Sequence, residues 1–170
     1  MSGPERRRAA VAVILAGQPE SLLLIRRAER DGDRWSGQLA FPGGRWSPGD
    51  RDLEATARRE TFEEVGVDLS AAACLAVLAD LAPRTPVLPP ILVRPFVYAL
   101  PAPVPLTLND EVAAAWWTPL AAFRRPGIYG PIEFPRYGTL VRSYGYQLEF
   151  GTLWGMTERI LTPLLASAKT

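Results

Sequence analysis

The sequence contains no histidine, and this absence removes several kinds of chemistry. Among its 170 residues, 18 acidic side chains stand against 19 basic ones. Without histidine the chain has no His-based catalytic triad, no His-ligated zinc site and no ordinary general base near neutral pH. If the protein is an enzyme, then carboxylates, lysine or tyrosine must carry its acid–base or metal chemistry.

Cysteine, net charge and long apolar runs are also scarce. The single cysteine, Cys74, excludes a disulfide-stapled framework, and its apolar neighbours predict a place in the core. A net charge of +1 gives no reason to expect nucleic-acid or acidic-membrane partners. No stretch approaches the ~18 apolar residues of a membrane span, and the apolar run at residues 9–17 is too short for a signal peptide. We therefore expect a cytoplasmic protein.

Apolar segments separated by proline-rich loops predict a single domain over residues 1–170. Hydrophobic residues make up 48% of the chain, and its 17 prolines cluster between apolar segments, where their fixed backbone suits loops. The predicted strands lie at about 9–16, 21–27, 38–41, 72–81, 91–100 and 111–118, and the predicted helices at about 50–64 and 154–166. Gly66 is placed to end the first helix in the left-handed conformation. Strands combined with two substantial helices indicate a layered α/β (α+β) fold.

Three glutamates share one face of the first predicted helix. At about 100° per residue, Glu60, Glu63 and Glu64 project within a sector of roughly 100°. They lie at the negative end of the helix dipole, and Glu60 and Glu64 form a like-charge pair, each effect costing about 0.3–1 kcal/mol. A divalent cation reverses the sign of these interactions, because hard cations such as Mg²⁺ favour oxygen ligands. Taken alone, however, such a cluster is more often a solvated acidic face.

The sequence around these glutamates resembles the Nudix box. That pattern has a Gly, five residues, a Glu, seven residues, Arg-Glu, two residues, Glu-Glu, one residue and a Gly. Residues 43–67 supply Gly-Gly, then Asp50, then the run Arg-Glu-Thr-Phe-Glu-Glu-Val-Gly-Val. There are two departures: Asp50 stands at the first Glu, and eight residues rather than seven separate it from Arg59.

Further segments are similar to the coenzyme A diphosphatase subgroup of the Nudix family. They are residues 23–28 (Leu-Leu-Ile-Arg-Arg-Ala) and 37–44 (Gly-Gln-Leu-Ala-Phe-Pro-Gly-Gly). The inserted residue and the Asp in the box are also similar to that subgroup, and the likeness runs from about residue 10 to 165. The spacing of the loop at 29–36 does not match the subgroup signature cleanly. The resemblance implies the Nudix fold, a mixed β-sheet sandwiched between helices.

The resemblance also implies the activity, hydrolysis of a nucleoside diphosphate-linked small molecule with Mg²⁺ or Mn²⁺. Glu60, Glu63 and Glu64 would bind metal, Glu60 or Glu64 would deprotonate water, and the carbonyl of Gly44 or Gly43 would be a further ligand. The substrate it favours is coenzyme A or a derivative, cleaved to 3',5'-ADP and 4'-phosphopantetheine. The alternatives are ADP-ribose, NADH or a nucleoside triphosphate, or a non-catalytic module that binds nucleotides. We expect a monomer or a homodimer.

Several other residues have two interpretations each. Arg59 either orients Glu63 or forms an ordinary surface pair with it. By resemblance, Glu111 is an extra base or metal ligand, and otherwise a strand-end glutamate. Arg26 and Arg27 either contact substrate phosphates or keep a strand edge soluble.

The tryptophans are equally ambiguous. Trp35 and Trp46 lie in loops near the expected site, where each either stacks on an adenine or packs its own loop. Trp116 and Trp117 are adjacent, so in a strand they face opposite sides, and we expect at most one of them in the core.

Overall fold

The computed structural model describes residues 7–84, 88 and 90–168. Its strands are β1 (Arg7–Ala16), β2 (Ser21–Arg27), β3 (Leu39–Ala40), β4 (Gly43–Arg45), β5 (Cys74–Val77), β6 (Ile91–Leu100), β7 (Val112–Pro119), β8 (Tyr129–Arg136), β9 (Thr139–Leu148) and β10 (Gly151–Leu153). The helices are α1 (Leu53–Val65) and α2 (Met156–Ser167), and a short 3-10 helix covers Leu120–Arg124. In the described part of the chain, neither α-helix is long and apolar enough to cross a membrane.

A mixed seven-stranded sheet forms the middle layer. Its path is β3-β2-β1-β6-β5, with β4 also paired to β1 and β7 to β2. The central pair, β1 and β6, is parallel over ten residue pairs, whereas β2, β4 and β7 join antiparallel. The partner of β1 on its other edge changes along its length, with β4 beside residues 9–11 and β2 beside residues 15–16. The sheet is therefore forked beside β1.

Both faces of this sheet are covered, each by one helix. Alternate residues of β1 face opposite ways, so Ala12 and Ile14 pack with α1, whereas Val13 belongs to the cluster that contains α2. The α1 side of the core includes Ala57 and Val65, and the α2 side includes Ile160, Leu161 and Leu165. The prediction of a mixed sheet between helices is confirmed.

The ends of α1 follow from its terminal residues. Asp52 caps the N-terminus, where its side chain accepts a hydrogen bond of 2.8 Å from the amide of Ala55. Gly66 ends the helix at φ 73°, and its amide donates to the carbonyl of Phe62. The end at Gly66 agrees with the sequence-based prediction, and the helix begins at Leu53 rather than at about residue 50.

A second sheet of three strands, in the order β10-β9-β8, was not predicted from the sequence. Pro131 and Pro135 led to the expectation of a loop, but they lie in β8, which pairs on one side with β9. An edge strand tolerates proline because its missing amide faces away from the ladder. Tyr146 of β9 and Leu153 of β10 pack into the same core as α2, which attaches this sheet to the first.

Three other local features differ from what the sequence predicts. Gly43 and Gly44 lie outside every predicted strand, yet they pair with β1 as part of β4. The strand expected at 72–81 is shorter, Cys74–Val77, with one isolated bridge between Leu81 and Val93. Cys74 itself is only partly buried against the core.

Candidate active site

A cavity of about 740 Å³ lies beside the part of β1 that pairs with β4, where Ala9 and Val11 line it. Its lining includes carboxylates from the end of α1, the two glycines of β4, and Arg27 at the end of β2. The loop between β2 and β3, residues 28–38, supplies Arg30 and Arg34, together with the ring of Trp35. Trp35 packs with Ala9, Ile91, Val93 and Met156 in a small apolar cluster that borders the cavity. Acidic, basic and apolar surfaces thus share one space.

Three carboxylates converge within this cavity. One oxygen each of Glu60, Glu64 and Glu111 lies within 4.8 Å of the others. Glu60 and Glu64 come from consecutive turns of α1, whereas Glu111 immediately precedes β7. The backbone fixes Glu111 there, because its carbonyl accepts from the amide of Ala28 at 2.9 Å and its amide donates to Asn109 Oδ1 at 2.9 Å. The structure therefore places Glu111 in the carboxylate cluster, and its role as a base or metal ligand stays a prediction.

Glu63 occupies a different position from its two neighbours. It lines the cavity, but its side chain is 50% exposed. It lies outside the described group of oxygens within 4.8 Å, where Glu111 is the third member. The role predicted for Glu63 in metal binding stays a prediction. The helix periodicity did not reveal that Glu111 lies near Glu60 and Glu64.

Glu64 is the most buried of these carboxylates, 2% exposed. Burial raises its pKa to about 8, and the neighbouring charge of Glu60 acts in the same direction. Its Oε2 has no hydrogen-bond partner. Burial also raises the pKa of Glu60, an effect that Arg59 opposes. The raised pKa values and the unpartnered oxygen show that Arg59 and Arg27 do not fully balance the charge of these carboxylates.

Two glycines let the backbone of β4 make close approaches, Gly44 to the carboxylate cluster and Gly43 to β1. A Cβ placed on Gly44 would lie 2.5 Å from the carboxyl carbon of Glu60, and one on Gly43 would lie 2.2 Å from the carbonyl oxygen of Ala10. Gly43 also has φ 159°. Any side chain at Gly44 would occupy the space that the Glu60 carboxylate uses.

Asp50 is the principal partner of Arg59. Arg59 Nε donates to Asp50 Oδ1 at 2.7 Å and Nη2 donates to Asp50 Oδ2 at 2.9 Å. Arg59 Nη1 then reaches Glu60 at 2.9 Å and Glu63 at 3.2 Å. Arg59 therefore links Asp50, in the loop between β4 and α1, to two glutamates of α1. Its predicted pairing with Glu63 is the longest of these contacts.

Asp50 is itself held at several points. It is 8% exposed, it accepts a hydrogen bond from Thr56 Oγ1 at 2.8 Å, and it accepts one from the amide of Ser47 at 3.1 Å. The Arg59 guanidinium holds the pKa of Asp50 well below its usual range. The sequence singled out Asp50 only as a departure from the box pattern. Its shorter side chain nevertheless makes the bidentate contact with Arg59.

The structure brings Arg27 to the cavity but not Arg26. The β2–β7 register shifts between these two residues, and the guanidinium of Arg26 lies 5.5 Å from the ring centre of Trp116 and donates to the carbonyl of Phe150. Arg27 lines the cavity and pairs with Asp33 of the loop at 3.0 Å. Of these two arginines, Arg27 is the one that lines the cavity, and its role in contacting phosphate stays a prediction.

The tryptophans also differ in whether they line the cavity. Trp35 lines the cavity, whereas Trp46 is 45% exposed and its Nε1 donates to the carbonyl of Asp50 at 3.2 Å. Trp116 stacks on Phe150 with ring centres 4.1 Å apart, and Trp117 packs on the α1 side of the core. Since the sheet is covered on both faces, each of this adjacent pair packs against one of the two core clusters, but both are only partly buried, in agreement with the expectation of at most one core residue.

Comparison with known proteins agrees with this geometry. The NUDIX domain family matches residues 5–134. The chain is 35% identical over 159 residues to the uncharacterised Nudix hydrolase NudL of Yersinia pestis (strain Pestoides F), covering 93% of this chain and 78% of that protein. A Yersinia pseudotuberculosis NudL gives the same values. The chain belongs to the Nudix hydrolase family. The prediction of a Nudix enzyme is confirmed.

Solved structures show that the Nudix fold extends beyond the matched family segment. A MutT/nudix family protein from Enterococcus faecalis superposes with a TM-score of 0.64 at 20% identity, covering 95% of this chain, which spans 61% of that protein. The bifunctional NMN adenylyltransferase/ADP ribose pyrophosphatase of Francisella tularensis, solved with AMP and a Mn ion, gives a TM-score of 0.64 at 17% identity over 98% of this chain and 43% of that one. The NUDIX domain of Shewanella oneidensis NrtR, solved with ADP ribose, gives 0.53 at 20% identity over 70% and 76%.

Nudix hydrolases need divalent metal ions, and this Nudix chain has residues that fit one. The Glu60, Glu64 and Glu111 oxygens lie within 4.8 Å of each other, and the buried Glu64 Oε2 has no partner. All of these donors are carboxylate oxygens, the type that Mg²⁺ and Mn²⁺ prefer. A divalent cation would supply the positive charge that the cluster lacks.

Proposed function

We propose that this Nudix hydrolase cleaves the diphosphate of coenzyme A or its derivatives to 3',5'-ADP and 4'-phosphopantetheine. The observation that carries the proposal is the single cavity in which the carboxylate cluster, Arg27 and the apolar cluster around Trp35 meet. Coenzyme A combines a diphosphate, an aromatic base and a long pantetheine arm. The subgroup signature in residues 23–28 and 37–44 supports this substrate among other diphosphates.

The metal would be Mg²⁺ or Mn²⁺, held by Glu60, Glu64 and Glu111. Glu63 and the carbonyl of Gly44 are further candidate ligands on the same cavity wall. When bound, the cation supplies positive charge to the diphosphate and acidifies the attacking water. The near-zero net charge of the chain is compatible with a phosphate-bearing substrate for this reason.

The remaining steps of the proposed reaction are assigned to side chains of the cavity and of the Arg59–Asp50 pair. Water adds to one phosphorus of the diphosphate, the bridging P–O bond breaks, and the proton of the water passes to a carboxylate, with Glu60 or Glu64 as the acceptor. Arg59 positions Glu60 through its 2.9 Å contact, while Asp50 fixes the guanidinium of Arg59 from the other side. Arg27, which lines the cavity, balances charge on the phosphate oxygens.

A second candidate keeps the reaction and changes the substrate to ADP-ribose, NADH or a nucleoside triphosphate. The relevant observation is that two proteins of this fold were solved with ADP ribose or with AMP and Mn. The third alternative is a non-catalytic nucleotide-binding module. It would not explain why Glu60, Glu64 and Glu111 converge near the end of α1, where Arg59 also contacts Glu60. We further propose that the enzyme works in the cytoplasm as a monomer or a homodimer.

A substrate panel tests these alternatives. Coenzyme A, an acyl-coenzyme A, ADP-ribose and NADH would be incubated with Mg²⁺ or Mn²⁺, and the products would be identified by mass. We expect 4'-phosphopantetheine and 3',5'-ADP from coenzyme A, and no turnover after a chelator removes the metal. Preferential cleavage of ADP-ribose would replace the first candidate with the second, and turnover in the presence of chelator would contradict both.

A matched pair of variants tests the site. Glu63→Gln removes a charge at the cavity wall, whereas Glu133→Gln removes an exposed carboxylate that pairs with Arg142 at 2.8 Å in the second sheet. We expect turnover to fall at least tenfold in the first variant and to stay within twofold in the second. Near-normal activity of folded Glu63→Gln protein would remove Glu63 from the catalytic machinery.

A further inference from the structure

The loop between β2 and β3 (residues 28–38, here called the cavity loop) is hydrogen-bonded to a part of the chain about a hundred residues away. The tip of the β8–β9 hairpin, Arg136 to Gly138, contacts the backbone of residues 34–36 and the side chain of Gln38. Arg136 Nη2 donates to the carbonyls of Ser36 at 2.9 Å and Arg34 at 3.2 Å. These bonds bring a hairpin of the second sheet to the loop that lines the cavity.

The hydroxyl of Tyr137 makes the other half of this attachment. It donates to the carbonyl of Arg34 at 3.0 Å and accepts from Nε2 of Gln38 at 3.1 Å. One hydroxyl thus bonds the backbone carbonyl of Arg34, inside the loop, and the side-chain amide of Gln38, at its end. Arg136 and Tyr137 together make four hydrogen bonds to residues 34–38.

The backbone at Tyr137 is unusual for a residue with a side chain. Tyr137 has φ 55°, and among the described residues it is the one non-glycine with a positive φ. It forms a two-residue turn with Gly138, φ 71°, a position that turn geometry assigns to asparagine, aspartate or glycine. A tyrosine there is not explained by the needs of the turn. Its contacts with the loop provide the explanation.

The loop held in this way carries much of the cavity lining. Asp33 pairs with Arg27 at 3.0 Å, and its Oδ1 accepts from the amide of Trp35 at 3.0 Å. Trp35 lies between the two residues, Arg34 and Ser36, whose carbonyls the hairpin tip binds. The position of the Trp35 ring against the apolar cluster therefore depends on where the tip holds the loop.

We propose that Tyr137 and Arg136 are positioning residues that fix the cavity loop and thereby set substrate affinity. The inference rests on the proposed function, because it concerns substrate binding in the same cavity. Neither side chain lines that cavity, and neither belongs to the carboxylate cluster. Losing their contacts changes KM and leaves kcat, since the groups that perform the bond cleavage stay in place.

The test uses Tyr137→Phe, which removes one oxygen atom and keeps the ring. Tyr129→Phe is the matched control, because that hydroxyl donates to Glu158 at 2.8 Å elsewhere on the same sheet. We expect KM for coenzyme A to rise about three- to tenfold in Tyr137→Phe, with kcat within twofold and Tm unchanged. Arg136→Gln, which shortens the donor, should give a shift in the same direction.

Amide hydrogen exchange supplies a readout that needs no substrate. In Tyr137→Phe, exchange should accelerate in residues 28–38 and stay at the wild-type rate in α1 and β1. Unchanged KM with unchanged loop exchange would overturn the inference, and so would a fall in kcat alone or a parallel acceleration throughout the protein.

The two proposals fail separately in this design. If wild-type protein cleaves ADP-ribose instead of coenzyme A, the proposed substrate is wrong, and the KM comparison is made on ADP-ribose. If no substrate of the panel is cleaved, local exchange in residues 28–38 decides whether the hairpin tip fixes the loop.

Discussion

Arg59 and Asp50 form a two-point contact, with Nε 2.7 Å from Oδ1 and Nη2 2.9 Å from Oδ2. This pair ties the loop after β4 to the helix that carries Glu60. A planar guanidinium bound by two parallel hydrogen bonds has one orientation, so its remaining nitrogen is directed to the carboxylates of α1.

Removing the charge of Asp50 should therefore affect both stability and activity. We expect Asp50→Asn to lower the free energy of unfolding by about 1–3 kcal/mol at pH 7, because Arg59 loses its main partner. Turnover should fall as Arg59 ceases to fix Glu60. Urea unfolding and steady-state kinetics measure the two effects. Asp80→Asn is the control, since its Arg94 pair lies outside the cavity and should cost less than about 1 kcal/mol.

The same pair predicts an acid-dependent stability. The pKa of Asp50 is lowered in the folded protein, so its contribution is present above the unfolded pKa and is lost as pH falls toward the folded value. The stability gap between wild type and Asp50→Asn should hold from pH 7 to about 5 and narrow below about pH 4. Unfolding curves at a series of pH values measure it. A constant gap down to pH 2 would show that the charge of Asp50 is not responsible.

Gly44 should tolerate no side chain. In Gly44→Ala the new methyl group would lie 2.5 Å from the carboxyl carbon of Glu60 and displace it. We expect at least a tenfold loss of turnover, with a stability cost of less than about 2 kcal/mol because the carboxylate can rotate away. Gly49→Ala is the matched control, since a Cβ there meets no atom within 4 Å. Equal activity of the two variants would show that the Glu60 carboxylate need not occupy its present place.

Glu64 should lower the stability of the metal-free protein. Its pKa is raised to about 8, so stability falls as pH rises from the unfolded value near 4.5 to about 8. We expect Glu64→Gln to raise the free energy of unfolding at pH 7.5 by roughly 1–3 kcal/mol without metal, while turnover is lost. Adding Mg²⁺ should raise the Tm of wild type and not that of the variant. A metal-free Glu64→Gln protein less stable than wild type would contradict the burial of a carboxylate without a partner charge.

The local signals in the sequence were sufficient for α1 and for the family. Asp52 and Gly66 define the helix ends, and the spacing of Arg59 and the glutamates carries the Nudix pattern. Periodicity did not reveal Glu111, because a residue about fifty positions away joins the cluster only through the fold. Nothing in the sequence distinguished Arg26 from Arg27, so it did not show which of them lines the cavity. That choice depends on how both faces of the sheet are covered.

The second sheet shows a different limit. Proline is incompatible with a strand only where its missing amide would break the ladder of hydrogen bonds. Pro131 and Pro135 lie in an edge strand, where this does not apply. A single sequence does not distinguish an edge strand from a loop by this residue. The hairpin tip at Tyr137, and its contacts with the cavity loop, were missed for the same reason.

The forked partner edge of β1 has a consequence for how the cavity can change. β4 pairs with β1 up to Val11 and β2 begins at Leu15, while on its other edge β6 stays paired through ten residues. Between them, the amide of Ala12 donates to the carbonyl of Pro42 at 2.8 Å, so the chain that leads into β4 is held to β1 here as well. Backbone hydrogen bonds, rather than side chains, therefore hold Gly43 and Gly44 in the cavity wall. Substitutions of lining side chains can alter what the cavity recognises while this backbone wall stays in place.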